Sequence, residues 1–181
     1  MVLQNFQIVT LTGLVRRIKA KTIAFVALMA ALSNVMSLPP LAIPLPLGPF
    51  TASIHFFQLA IFLSGILAGP WAGLLTGAVG SLYMGITKIP FIIGGIAILG
   101  ACTGLFAKRF RPVTACLLAW LVQAPYIVVT DYVWFTYFVN PPAGALSIIT
   151  TIMVTLGLEA LVCAMLADVI VHFVKKAGIT L

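Results

Sequence analysis

Charge is what this chain has least of: only 7% of its 181 residues are charged, and only three of those are acidic. A soluble domain carries roughly a quarter charged residues, so a water-facing surface is excluded. With 62% hydrophobic residues and a mean hydropathy of +1.22, the chain reads as an integral membrane protein whose surroundings are the lipid bilayer. Cysteine is scarce too. Cys102, Cys116 and Cys163 lie inside apolar runs without CxxC spacing, which excludes a disulfide framework or thiolate metal site and leaves three small core residues. No Walker sequence is present, so the chain does not itself hydrolyse ATP, and no HExxH, His/Cys cluster or serine elbow offers a catalytic centre. No cofactor or metal is expected within it. Inverted half-repeats with paired broken helices, common in self-sufficient carriers, are also missing. A secretory signal is not read at the N-terminus, because positive charge first appears at Arg16 and the apolar span after it is long.

What is present is organised around Lys21–Gln58. A helix opens there, and Ala20, Ala24, Ala27 and Ala31 are spaced to share one of its faces. In lipid a stripe of small residues lets another helix approach closely, so it reads as a partner-docking surface. The helix breaks at Ser37–Pro40 into a long apolar segment containing Pro39, Pro40, Pro44, Pro46 and Pro49. Proline lacks the backbone donor and fixes φ, so this segment is neither helix nor central strand; it reads as a stiff outer lid. Spans are expected at about 22–38, 55–68, 71–86, 91–107, 113–139 and 145–173, the fifth kinked at Pro125. Gly73, Gly77, Ser81 and Gly85 in the third, with Ala97, Gly100, Ala101 and Gly104 in the fourth, predict close helix packing. Residues 1–15 read as an interfacial helix or a frayed terminus. The resulting organisation is an N-terminal cytoplasmic segment at 1–20, a six-helix membrane domain at 21–175 and a cytoplasmic tail at 176–181.

Six spans place both termini on one side. With the N-terminus in the cytoplasm, Arg16, Arg17, Lys19, Lys21, Lys108, Arg109, Arg111, Lys175 and Lys176 are all cytoplasmic, and Lys88 alone lies outside. That is the positive-inside pattern, and it accounts for the basic excess without a nucleic-acid partner. The proline-rich loop and the turns at Thr87–Pro90 and Asn140–Pro142 then share the outer face.

An ionisable residue costs at least about 2.5 kcal/mol at the centre of a membrane helix, so each one needs a reason. Glu159 lies near the middle of the sixth span, and Thr155, Thr151 and Ser147 climb away from it on one face at four-residue steps. In the fifth span Gln123, Tyr126, Thr130 and Trp134 recur at three- and four-residue steps, with Asp131 beside them. Two stripes at the same depth, on helices joined by a short outer turn at Asn140, read as an outward-open pocket under the proline-rich lid. Trp134, Tyr126 and Tyr137 would stack on a ring, and Glu159 or Asp131 would accept its N–H groups. The competing reading is interhelical glue, with the hydroxyls bonded to their own backbone. His55 reads equally as an interface anchor or a ligand contact, and Lys88 as an anion contact or a snorkelling lysine. Asp168, near the inner end, reads as an ion-pair partner of His172 or of the cytoplasmic basic residues.

Six spans, Ala27-xxx-Ala31, the long first loop, and the runs LSGILAGPWAGLLTGAVGSL (Leu63–Leu82) and PFIIGGIAILGACTGLFAKR (Pro90–Arg109) resemble a known family. It is that of the substrate-binding S components of energy-coupling factor (ECF) vitamin transporters, over about residues 21–175. The resemblance implies an all-α membrane subunit that captures a small water-soluble vitamin or related heterocycle. It implies partners as well: a transmembrane coupling protein, which Ala27 and Ala31 would contact, and two cytosolic ATPases that use the ATP. The ligand pocket it implies is built from the outer halves of the last three helices and the loops. The aspartate-containing motif associated with riboflavin binders after the first loop is replaced here by Thr51–Phe57 (TASIHFF), which disfavours riboflavin. Two other readings stay open: a stand-alone proton-coupled carrier with Glu159 as proton site, and a small membrane enzyme using Glu159 or Asp131 as general base.

Overall fold

The computed structural model describes residues 20–47, 50–139 and 144–178. The expectations for residues 1–15, for Arg16, Arg17 and Lys19, for the turn at Asn140–Pro142 and for the end of the tail lie outside the described residues. In chain order the elements are α1 (Ala20–Met36), β1 (Ile43–Leu47), β2 (Phe50–Ile54), α2 (Phe57–Ala68), α3 (Pro70–Gly80), α4 (Leu82–Thr87), α5 (Ile92–Phe106), α6 (Pro112–Trp134) and α7 (Ala145–Lys176).

The proline-rich lid is a short 3-10 turn at Pro39–Leu41 followed by an antiparallel hairpin, with Ile43 opposite Ile54 and Leu47 opposite Phe50. In a two-stranded sheet both strands are edges, so proline's missing donor need not interrupt a ladder. That reconciles the proline density with strand pairing.

The third span, expected to be continuous over 71–86, is instead broken at Ser81 into α3 and α4. Ser81 Oγ donates to the Gly77 carbonyl at 2.6 Å, competing for a helical acceptor in a stretch already weakened by glycine. The break frees backbone groups, and α1 supplies their partners. Asn34 Oδ1 accepts from the Tyr83 N–H at 3.0 Å, and Asn34 Nδ2 donates to the Val79 carbonyl at 2.8 Å. One residue earlier, Ser33 Oγ donates to the Phe57 carbonyl at the start of α2, at 3.3 Å. The face of α1 that makes these contacts is buried at Ala30 and Ser33, whereas Ala20, Ala24, Ala27 and Ala31 are all exposed.

The small residues of α3 and α5 do what their spacing predicts. A side-chain carbon on Gly73 would overlap the Gly100 carbonyl, one on Gly77 the Ile96 carbonyl, and one on Gly104 the backbone of Pro70. Ser64 Oγ and Thr76 Oγ1, both fully buried, share a 2.7 Å hydrogen bond between α2 and α3. Around this block the core runs through Phe57, Phe62, Ile96 and Leu99 to Cys116 and Cys163, with Cys102 half-buried.

Two segments, Pro112–Val139 and Ala145–Lys176, are long and apolar enough to cross a membrane; α1, α2 and α5 are apolar but shorter. At 12 residues α2 is only about 18 Å long. Pro125 lies within α6, which runs unbroken and widens into a π turn at Phe135–Val139. The expected Asp168–His172 pair is not formed: Asp168 is exposed, and the His172 ring lies edge-on to Phe173 at 5.9 Å.

Gly100→Ala should lower stability by about 1–3 kcal/mol or more, because the added carbon has only Gly73 backbone to push against. Thermal unfolding of the detergent-purified protein reads this, and an unchanged midpoint would mean that backbone contact is not what holds α3 to α5.

Candidate functional site

At the hairpin end of the bundle lies a cavity of about 290 Å³, near the small end of ligand pockets. The exit of β2 contributes Ser53, His55 and Phe57, and α4 with its exit contributes Met84, Lys88 and Ile89. Ile92 opens α5, Ile127 and Asp131 come from α6, and α7 supplies Ile148, Thr151, Ile152, Thr155, Leu156 and Glu159. The walls are therefore mostly aliphatic, with a few charged or polar groups set into them.

Glu159 is 2% exposed and both of its oxygens are engaged. Oε1 accepts from the His55 backbone N–H at 2.6 Å, and Oε2 accepts from Gln58 Nε2 at 3.2 Å. The N–H groups ahead of and within the first turn of a helix have no intrahelical acceptor, and the positive end of the helix favours an anion there. A carboxylate from α7 thus holds down the start of α2. Gln58 was not singled out by the sequence reading; a glutamine inside an otherwise apolar span was the available signal.

The other polar groups are less committed. Lys88 Nζ makes a long 3.5 Å contact to His55 Nε2. Lysine offers only donors, so Nε2 accepts and the ring proton sits on Nδ1, which is buried without a partner among the described residues. Burial, and then the Lys88 charge, push the His55 pKa down to about 4. Burial also lowers the Lys88 pKa, opposed by the attraction of Glu159. Asp131 is 2% exposed, and among the described residues it has no hydrogen-bond partner. The Thr151 and Thr155 hydroxyls donate to the carbonyls four residues back, at 3.1 and 2.8 Å. Toward the cavity they therefore present acceptor lone pairs.

Of the residues read from the sequence, Glu159, Thr155, Thr151, Asp131, His55 and Lys88 are brought together here. Gln123, Tyr126, Thr130, Trp134 and Ser147 are not among the cavity-lining residues, and Asn140 lies outside the described residues. The inward face of α6 runs through Gln123, Ile127 and Asp131, all buried. Tyr126 and Thr130 each sit one residue, or roughly 100°, before a member of that face, and Trp134 lies at the end of α6, three residues beyond Asp131. Gln123 packs near Gly95, Tyr126 Oη donates to the Phe91 carbonyl at 3.4 Å, and Thr130 Oγ1 donates to the Tyr126 carbonyl at 2.9 Å. Trp134 stacks on Phe138 at 5.1 Å and meets Phe91 edge-on, while Tyr137 is exposed. Ser147 borders a separate hollow with Tyr132 and Thr136.

The family model of the ECF-type riboflavin transporter S component matches residues 17–177. The chain belongs to that family. It is a membrane-bound, substrate-binding transporter subunit and not an enzyme, which sets aside the general-base reading of Glu159 and Asp131. A solved structure described as the S component of a bacterial ECF transporter has the same fold, with a TM-score of 0.58 and 16% identity, covering 86% of this chain and 96% of that one. No curated protein sequence matches. In this S component Thr51–Phe57 supplies Ser53, His55 and Phe57 to the cavity wall.

Glu159→Gln sets an amide N–H₂ against one of two donors, so the ligand-free protein should lose about 1–3 kcal/mol of stability. Gln58→Met, which removes one donor, should lose less. Melting midpoints equal to wild type in both would detach Glu159 from α2. Acid should act through His55. Between the ordinary pKa of 6.5 and the folded value of about 4, the unfolded chain binds a proton that the folded chain refuses. Stability therefore falls as the pH drops through that window, and the effect is absent above it. Lowering the pH from 7.5 to 5 should cost wild type more melting temperature than His55→Gln; equal losses would rule His55 out as the cause.

Proposed function

We propose that this S component is the high-affinity capture subunit of an ECF-type ABC importer for a small water-soluble vitamin or related heterocycle. The observation that carries the reading is the aliphatic cavity with polar groups in its walls, at the end of the bundle where β2 of the hairpin meets it. Riboflavin is the first ligand to test, because the matching family model is of the riboflavin type. The TASIHFF stretch bordering the cavity weighs toward a different heterocycle of similar size.

In this reading the chain crosses the membrane six times with both termini cytoplasmic, α3 and α4 together forming one broken crossing. Nine of the ten basic residues then face the cytoplasm, and Lys88, beside the cavity, faces out. The exposed Ala20, Ala24, Ala27 and Ala31 face is free to meet a transmembrane coupling protein, which would connect the subunit to two ATPases. The stand-alone carrier reading is weaker, since it needs Glu159 to exchange protons while both its oxygens already hold protein donors.

Purified from a host expressing the coupling module, the wild type should bring the coupling protein and both ATPases with it, and retain a small molecule identifiable by mass spectrometry. Ala27→Trp should lose the module and keep ligand affinity. Full recovery of the module with Ala27→Trp would refute docking on this face, and a protein that always purifies alone would favour the carrier.

A further inference from the structure

The cavity's polar groups are unequally satisfied, and the imbalance has a direction. Glu159 is filled by two protein donors. Lys88, an exposed residue on the cavity wall, is not: its contact to His55 is long, it lies outside salt-bridge distance of every described carboxylate, and among the described residues its remaining N–H groups meet only solvent or the cavity. With Lys88 as donor to Nε2 the His55 proton sits on Nδ1, a buried N–H without an acceptor among the described residues, in a residue only 4% exposed. Donors are thus in excess where α4 meets the exit of the hairpin. Asp131, deeply buried on the α6 wall, holds acceptors without a described donor. Aliphatic side chains separate the two walls.

We propose that Lys88 is a specificity-determining residue: it receives an oxygen acceptor of the substrate, a carbonyl or an oxyanion, while Asp131 takes a donor from the same molecule. The substrate class that follows is a compact, largely apolar heterocycle with oxygen at one edge and N–H or O–H at another. A cationic ligand is selected against by the lysine. This rests on the functional reading above, but it fails separately from it. Charged donors bind such oxygens more strongly than neutral ones, and arginine can replace lysine in that role whereas methionine keeps only the shape.

The test uses riboflavin and riboflavin 5′-phosphate as probes, with affinity read by flavin fluorescence and folding by the melting midpoint. Lys88→Met should weaken riboflavin by about ten- to a hundred-fold at an unchanged midpoint, and Lys88→Arg should restore most of it. Equal weakening of both flavins places a ring carbonyl at Lys88, and greater weakening of the phosphate ester places the oxyanion there; either supports the subsite. Lys88→Met binding both probes like wild type overturns it, as does a Lys88→Arg variant no better than methionine. If the wild type binds neither flavin, riboflavin fails as the ligand, and the subsite is judged on the small molecule that mass spectrometry finds retained. A cation or a compound without an oxygen acceptor overturns it, and a carbonyl compound or oxyanion lost in Lys88→Met upholds it.

Discussion

Helices in lipid gain nothing from burying apolar side chains against one another, because the surrounding acyl chains are equally apolar. Close backbone approach has to do that work, and here it occurs where α3 crosses α5 at Gly73 and Gly100. No side chain stands between the two helices at that point, so dispersion acts between main-chain atoms directly. Gly77 against Ile96 and Gly104 against Pro70 extend the contact along both helices, and the buried Ser64–Thr76 hydrogen bond adds α2. The remaining helices are arranged on this block.

A block packed this tightly leaves little room for a ligand, and the cavity forms where the packing stops. Beyond the break at Ser81, α4 and its exit place Met84 and Lys88 on the cavity wall. The break is stable because α1 reaches across it through Asn34, and α1 also grips the start of α2 through Ser33. The same helix therefore presents an alanine face outward and tethers two parts of the cavity wall.

Within the cavity, charge is divided between structural and uncommitted groups. Glu159 is structural, since its oxygens close the backbone ahead of α2 and hold Gln58. Lys88 and Asp131 are the uncommitted pair. Of the aromatic residues offered as stacking platforms, Trp134 packs with Phe91 and Phe138, Tyr126 bonds the Phe91 carbonyl and Tyr137 is exposed, while isoleucines line much of the cavity.

Composition alone decided the class of this protein. With 7% charged residues, no surface for water can be assembled from these amino acids, whatever the fold. Helical periodicity placed most of the helices within a few residues, and four-residue glycine spacing predicted close packing on those faces, because both signals are carried by neighbours along one chain. The glutamate and threonines of α7 were legible for the same reason. Other features depend on what stands across the bundle, and spacing within one helix carries no such information. The hairpin needed two proline-rich segments to pair with each other. The break at Ser81 needed Asn34, 47 residues earlier, to accept the freed groups. The facing of α6 was set by which side met α5 and α7, so Asp131 and Ile127 line the cavity while Trp134 packs on Phe91 and Phe138. Gln58 became a partner of Glu159 only when α2 and α7, about a hundred residues apart in sequence, were brought side by side.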